Sequence, residues 1–163
     1  MRFLLGLALF FALAGTASAA TLTGVVIVVI DGDTVLFKPD HYGAASRSFL
    51  KVRLADIDAP ETDQPHGDAA TRALKALALE RRATLEIVAT DSYGRKVGRL
   101  QVDTLPINTE LVRRGLAWSS TRYRRNPALM DAQREARRAR LGLWQDTEPT
   151  PPWIWRRTHS PAY

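Results

Sequence analysis

Five short stretches rich in Val, Ile and Leu, with a single helical stretch between the third and the fourth, leave this chain few folds to choose from. Residues 22–30 are dense in Val and Ile and read as a strand. Asp31-Gly32 is a turn signal, and residues 35–38 read as a second strand. After a polar loop over 39–46, residues 49–57 alternate roughly by two and read as a third strand, ended by Pro60. Asp68 is placed to cap a helix in which Leu74, Leu77, Ala78 and Arg81 share a face. Residues 85–89 form the fourth strand, Ser92-Tyr93-Gly94 a turn and residues 96–102 the fifth strand. A short helix over 108–114 stops at Gly115. Pro127 starts another, running to about Arg140 with Gly142 as its stop and Leu129, Ala132, Ala136 and Leu143 on its inner face. This order is that of an OB barrel: an α+β, mostly β fold with five barrel strands and about three helices.

The two ends differ from this body. Arg2, the apolar run over 3–15 and Ala17-Ser18-Ala19 form a signal-peptide pattern over residues 1–19, with cleavage after Ala19 or Ala20. The run is short for a bilayer span of about 20 residues. The mature protein is therefore expected to be exported, periplasmic or secreted, with no membrane partner. Pro149, Pro151, Pro152 and Pro161 keep the tail over 147–163 from being helical throughout, and Trp153 and Trp155 suit packing on the body. An exported chain without cysteine has no disulfide and no thiolate metal site, so packing, with or without a bound ion, must hold it. A net charge of +6 points to a polyanionic partner.

Three polar clusters stand out. Asp31-Gly32-Asp33-Thr34 reads as a hairpin turn, but a turn does not require Asp33. Arg53-Leu54-Ala55-Asp56-Ile57-Asp58-Ala59-Pro60-Glu61 sets one arginine and three acids at the end of an apolar strand. Two aspartates, one carbonyl and waters suit a hard cation such as calcium, and no His or Cys lies near to suit zinc. Arg53 and Asp58 are five apart, so a straight strand would send them to opposite faces, and they converge only if the chain bends between them. In Asp91-Ser92-Tyr93-Gly94-Arg95, the arginine is either solvated at a hairpin or a phosphate-binding fork. His41, His66 and His159 read as surface residues.

Taken in order, these motifs resemble the staphylococcal nuclease family. The resemblance continues through Asn108-x-x-Leu111-Val112-x-x-Gly115-Leu116-Ala117, Glu135-Ala136 and Leu141-Gly142-Leu143-Trp144, and covers roughly residues 23–144. It implies a nuclease domain over 20–146 that hydrolyses phosphodiester bonds of DNA and/or RNA with one calcium ion and leaves 3′-phosphates. A monomer is expected. By motif, Asp33, Asp58 and the Ala59 carbonyl match the metal ligands, and Asp31 a carboxylate behind them. Glu61 matches the acid assigned as general base. Arg53 and Arg95 match the arginines on the scissile phosphate. Ser92 replaces a family lysine, and Thr121 one of two tyrosines. Tyr93 and Tyr123 are then the candidates for nucleotide contacts.

The arginines at 113, 114, 122, 124, 125, 134, 137, 138 and 140 form either a solvated face or a backbone-binding track. Two other classes remain. One is a non-catalytic OB-fold nucleic-acid-binding protein of the cell envelope. The other is an envelope protein whose basic face binds anionic polysaccharide or lipid.

Overall fold

The computed structural model describes residues 20–120 and 126–159. The segment over 1–19 expected to be a signal peptide, Thr121, Tyr123 and the arginines at 122, 124 and 125 lie outside the described residues.

Strand β1 (Ala20–Val29) is the hub of the sheet. It pairs antiparallel with β2 (Thr34–Pro39) on one side. On the other it pairs antiparallel with a later strand over Arg82–Thr90. Strand β3 (Leu50–Leu54) runs antiparallel to β2. It is followed by the two-residue β4 (Ile57–Asp58). Helix α1 (Gly67–Ala78) then leads into β5 (Arg82–Thr90) and β6 (Lys96–Val102). Parallel pairing of β3 with β6, Val52 to Lys96 through Leu54 to Gly98, closes the sheet into a five-stranded barrel. Closure removes the open edges that would otherwise invite strand addition.

The α-helices and short strands that remain follow β6 in the chain. They are β7 (Leu105–Pro106), α2 (Ile107–Arg113), β8 (Trp118–Ser119), α3 (Pro127–Arg138) and α4 (Pro152–His159). The tail thus supplies a fourth α-helix where three were expected. It begins at Pro152 itself, since a proline in the first turn has no backbone N–H to lose. Helix α2 packs on β6, α1 and α3.

Phe37, Leu74, Leu85, Leu100 and Leu111 are fully buried. Each such side chain contributes roughly 1.5–3 kcal/mol, which is how a chain without cysteine holds its barrel. Leu129, Ala132 and Ala136 are buried, as the helical spacing predicts; Leu143 is buried too, but from a separate 3-10 turn over Gly142–Gln145 beyond the end of α3. Gly115 and Gly142 both have positive φ, and each would drive a Cβ into the other segment's carbonyls, at 2.1 Å from Leu141 O and 2.2 Å from Gly115 O. Only glycine permits that crossing.

Three expectations need correction. Asp68 does not cap α1: it lies exposed in the first turn, while His66, in the left-handed conformation, takes the cap position without a side-chain bond. Arg81 lies past the end of α1 and pairs with Asp103. The third strand does not run to Ile57. It ends at Leu54, and the reason bears directly on the site.

Candidate functional site

Two turns and one kink bring the polar clusters together. At the first turn, the Asp31 side chain accepts a hydrogen bond from the backbone N–H of Asp33 (3.0 Å). That fixes Asp33 at the mouth of β2. The register between β2 and β3 pairs Thr34 with Arg53, so Asp33 and Arg53 become neighbours. Their side chains form an ion pair.

The kink is at Asp56, whose φ is +63°. Aspartate tolerates this left-handed conformation better than most residues. Here it is held there from outside. The Asp56 carboxylate is fully buried and accepts from Arg99 Nη2 at 2.8 Å and Nε at 3.0 Å. The chain therefore leaves β3, turns and re-forms as β4 against β8. That turn swings Asp58 back onto Arg53, with Nη2 to Oδ1 at 2.8 Å. The Ala59 N–H then donates to Asp33 Oδ2 at 2.7 Å. Asp33, Arg53 and Asp58 are thus brought into one cluster, although a straight strand would have separated the last two.

Asn108 braces the same corner from α2. Its amide donates to the Ala55 carbonyl at 2.8 Å and its oxygen accepts from the Leu100 N–H at 3.0 Å.

The third cluster forms a tight hairpin between β5 and β6, with Gly94 at φ +76°. Arg95 donates through Nε to Asp91 Oδ2 at 2.7 Å. Burial works to raise the Asp91 carboxyl. Bonds from the Arg95 side chain and from the N–H groups of Arg95 and Tyr93 outweigh it and hold the group below its usual range. Tyr93 stands 85% exposed, with the Arg95 guanidinium 5.7 Å from its ring centre.

A cavity of about 350 Å³ joins these parts. Asp31, Asp33, Arg53, Ala59, Glu61, Tyr93 and Arg95 line it. The polar residues picked from sequence therefore converge, apart from Tyr123, which lies outside the described residues. One further lining residue has no counterpart in the sequence reading. Arg156 of α4 donates to Asp58 Oδ2 at 2.7 Å and to Glu61 Oε1 at 2.5 Å. The only hint in sequence was a tail carrying Trp153 and Trp155, which promised packing but not a direction.

Burial and the nearby Asp31 and Asp58 carboxylates push the Asp33 carboxyl up to about 7, against the pull of Arg53 and the Ala59 N–H. A buried carboxylate raised this far is short of positive charge. The donors at hand are all oxygens: Asp33, Asp58, Glu61 and the Ala59 carbonyl. Among the described residues no three His, Cys, Asp or Glu side chains gather into a cage. An all-oxygen donor set of this kind suits a hard cation and does not suit zinc.

The other basic residues are largely engaged. Arg113 and Arg114 grip Glu110, Arg134 grips Asp131, and Arg137 lies over Trp144 and Trp118 at 4.1 and 5.2 Å. Arg138 and Arg140 stay exposed.

Residues 51–146 match the model of the family described as staphylococcal nuclease homologue. That segment includes Arg53, Asp58, Glu61 and Arg95, and leaves out Asp33 and Arg156. An uncharacterized endonuclease of Escherichia coli O157:H7 is 38% identical over 138 residues, covering 84% of this chain and 86% of that protein. The protein named ParB of Escherichia coli is 36% identical over 149 residues, covering 85% and 81%. A micrococcal nuclease of Shigella flexneri is 34% identical over 154 residues, covering 88% and 85%.

Proposed function

The chain belongs to the staphylococcal nuclease homologue family, and from that premise we propose that it is a calcium-dependent nuclease that cuts DNA and/or RNA and leaves 3′-phosphates. The observation that supports this best is the cavity lined by Asp33, Arg53, Glu61 and Arg95, with Asp58 ion-paired to Arg53 beside it.

The task is to attack an anionic phosphodiester with water. Arg53 is held rigidly by its two aspartates and keeps further N–H donors for a phosphate oxygen. Arg95, steadied by Asp91, presents a second fork to the same cavity. Together they stabilise the charge that builds on the phosphoryl oxygens in the five-coordinate transition state. Glu61 accepts a proton from the attacking water, a role that typically contributes 10²–10⁴-fold. The water oxygen bonds to phosphorus, the bond from phosphorus to the 5′ oxygen breaks, and that oxygen leaves with a proton from solvent. The phosphate stays on the 3′ side. Asp33, Asp58 and the Ala59 carbonyl would hold the calcium ion, and Asp31 keeps Asp33 in place. When bound, calcium supplies a Lewis-acid charge for the phosphate and orients water. Tyr93 and Tyr123 serve as surfaces for the neighbouring nucleotide. No side chain is required to form a covalent bond with the substrate.

Export by the segment over 1–19, to the periplasm or the medium, belongs to the same reading, as does a monomeric mature protein. No helix among the described residues is long and apolar enough to cross a membrane. Sequencing the amino terminus of the protein recovered from its host tests the cleavage site.

The activity is tested by incubating purified protein with plasmid and single-stranded DNA, with calcium or with a chelator. Calcium-dependent degradation with 3′-phosphate ends supports the proposal. Retention on a gel without degradation would make the protein a binding module instead.

A further inference from the structure

Helix α4 is fastened to the body at three points that have nothing to do with charge in the cavity. The Gln64 amide donates to the Thr150 carbonyl at 2.6 Å just ahead of it. The Trp153 ring meets Trp118 edge-on at 5.5 Å. Trp155 Nε1 donates to Asp63 Oδ1 at 3.3 Å. These contacts aim Arg156 at the carboxylates. Its fork spans Asp58, with Nη2 at 2.7 Å from Oδ2 and Nη1 at 3.2 Å from Oδ1, while Nη1 also reaches Glu61. Since Arg53 holds Asp58 Oδ1 as well, both oxygens of Asp58 are committed to guanidinium groups.

This bears on any cation that uses Asp58. Calcium binds carboxylate oxygen at about 2.3–2.6 Å and repels other positive charge. Oδ2 cannot keep a guanidinium nitrogen at 2.7 Å and accept calcium on the same side. We propose that Arg156 is a built-in competitor for the cation site: it occupies Asp58 and Glu61 in the metal-free protein, and calcium must displace it. The inference rests on the reading of Asp58 as a metal ligand. Because the two states exclude each other, the Arg156 pair lowers calcium affinity by the factor by which it stabilises the metal-free site. Arg156 is 42% exposed, so the pair is screened and the factor is modest, roughly three- to tenfold for a forked contact to two carboxylates.

The test is calorimetric titration of calcium into the intact protein and three variants. Arg156→Met keeps the aliphatic stem and removes the fork. Arg156→Lys keeps the charge and loses the fork. Arg157→Met removes one charge from the exposed neighbour on the same helix, and so measures the effect of charge at a distance. Arg156→Met is expected to bind calcium roughly three- to tenfold more tightly than wild type, Arg156→Lys to fall between them, and Arg157→Met to stay near wild type. Unchanged or weaker binding by Arg156→Met overturns the inference, and so does an equal gain in Arg157→Met. Absence of binding heat in all four proteins overturns the cation reading itself, and the competitor with it.

Discussion

The raised Asp33 carboxyl makes stability depend on pH in a direction opposite to that of most salt-bridged acids. Its ordinary value is 3.8 and its value in the folded chain is about 7. Between those limits the folded chain holds a proton that the unfolded chain has lost. Folding therefore benefits fully below about pH 4, and the benefit disappears as pH rises through 7. At ~1.4 kcal/mol per pH unit the change amounts to roughly 4 kcal/mol. Other groups titrate over the same range, so the reading must be taken as a difference against Asp33→Asn, which cannot ionise. Urea unfolding of both proteins in chelator, from pH 4 to pH 8.5, provides it. Wild type should lose stability relative to the variant up to about pH 7 and then run parallel to it. Calcium should flatten the curve by stabilising the charged form. A difference that is flat, or that grows in favour of wild type as pH rises, would show that Arg53 overcomes burial and that the carboxylate lacks no counter-charge.

Further predictions concern single residues. Changes to groups behind a metal ligand commonly cost 10–100-fold in affinity, so Asp33→Ala and Asp58→Ala should each weaken calcium binding at least ~10-fold by calorimetry. Unchanged affinity in both variants refutes the assignment. Arg95→Ala should leave the circular-dichroism melt near wild type yet lower turnover on DNA roughly 100-fold or more, because it lies at an exposed hairpin and acts on developing charge. Near-normal turnover would mean that the phosphate is held elsewhere. Asn108→Ala removes buried bonds to Ala55 and Leu100 and should cost roughly 2–3 kcal/mol in urea unfolding. A loss below about 0.5 kcal/mol would show that the corner is braced by something else.

The barrel was legible because its signals are local. The strand over Lys96–Val102 matches its sequence reading residue for residue. Gly115 stops α2 where the glycine stands, whereas α3 ends at Arg138, ahead of a left-handed Arg140, and Gly142 opens the next turn instead. The inner face of α3 follows from spacing alone. The features that escaped depend on contacts across the chain. Nothing near Asp56 in sequence marks a left-handed residue, because the Arg99 side chain that holds it arrives from 43 residues away. Without that kink the third strand looks continuous, and the meeting of Arg53 with Asp58 has no visible cause. Arg156 reaches Asp58 from 98 residues away, along a tail whose prolines argued against helix. The start of α1 was misplaced because Asp68 is a good cap by type, whereas the chain uses a left-handed His66 instead.

A crystal structure of the protein soaked in calcium, with the ion located by its anomalous scattering, bears most directly on the whole account. One ion should sit on Asp33, Asp58 and the Ala59 carbonyl, with the Arg156 guanidinium withdrawn from Asp58. An ion bound elsewhere, or none at saturating calcium with Arg156 still astride Asp58, would contradict it.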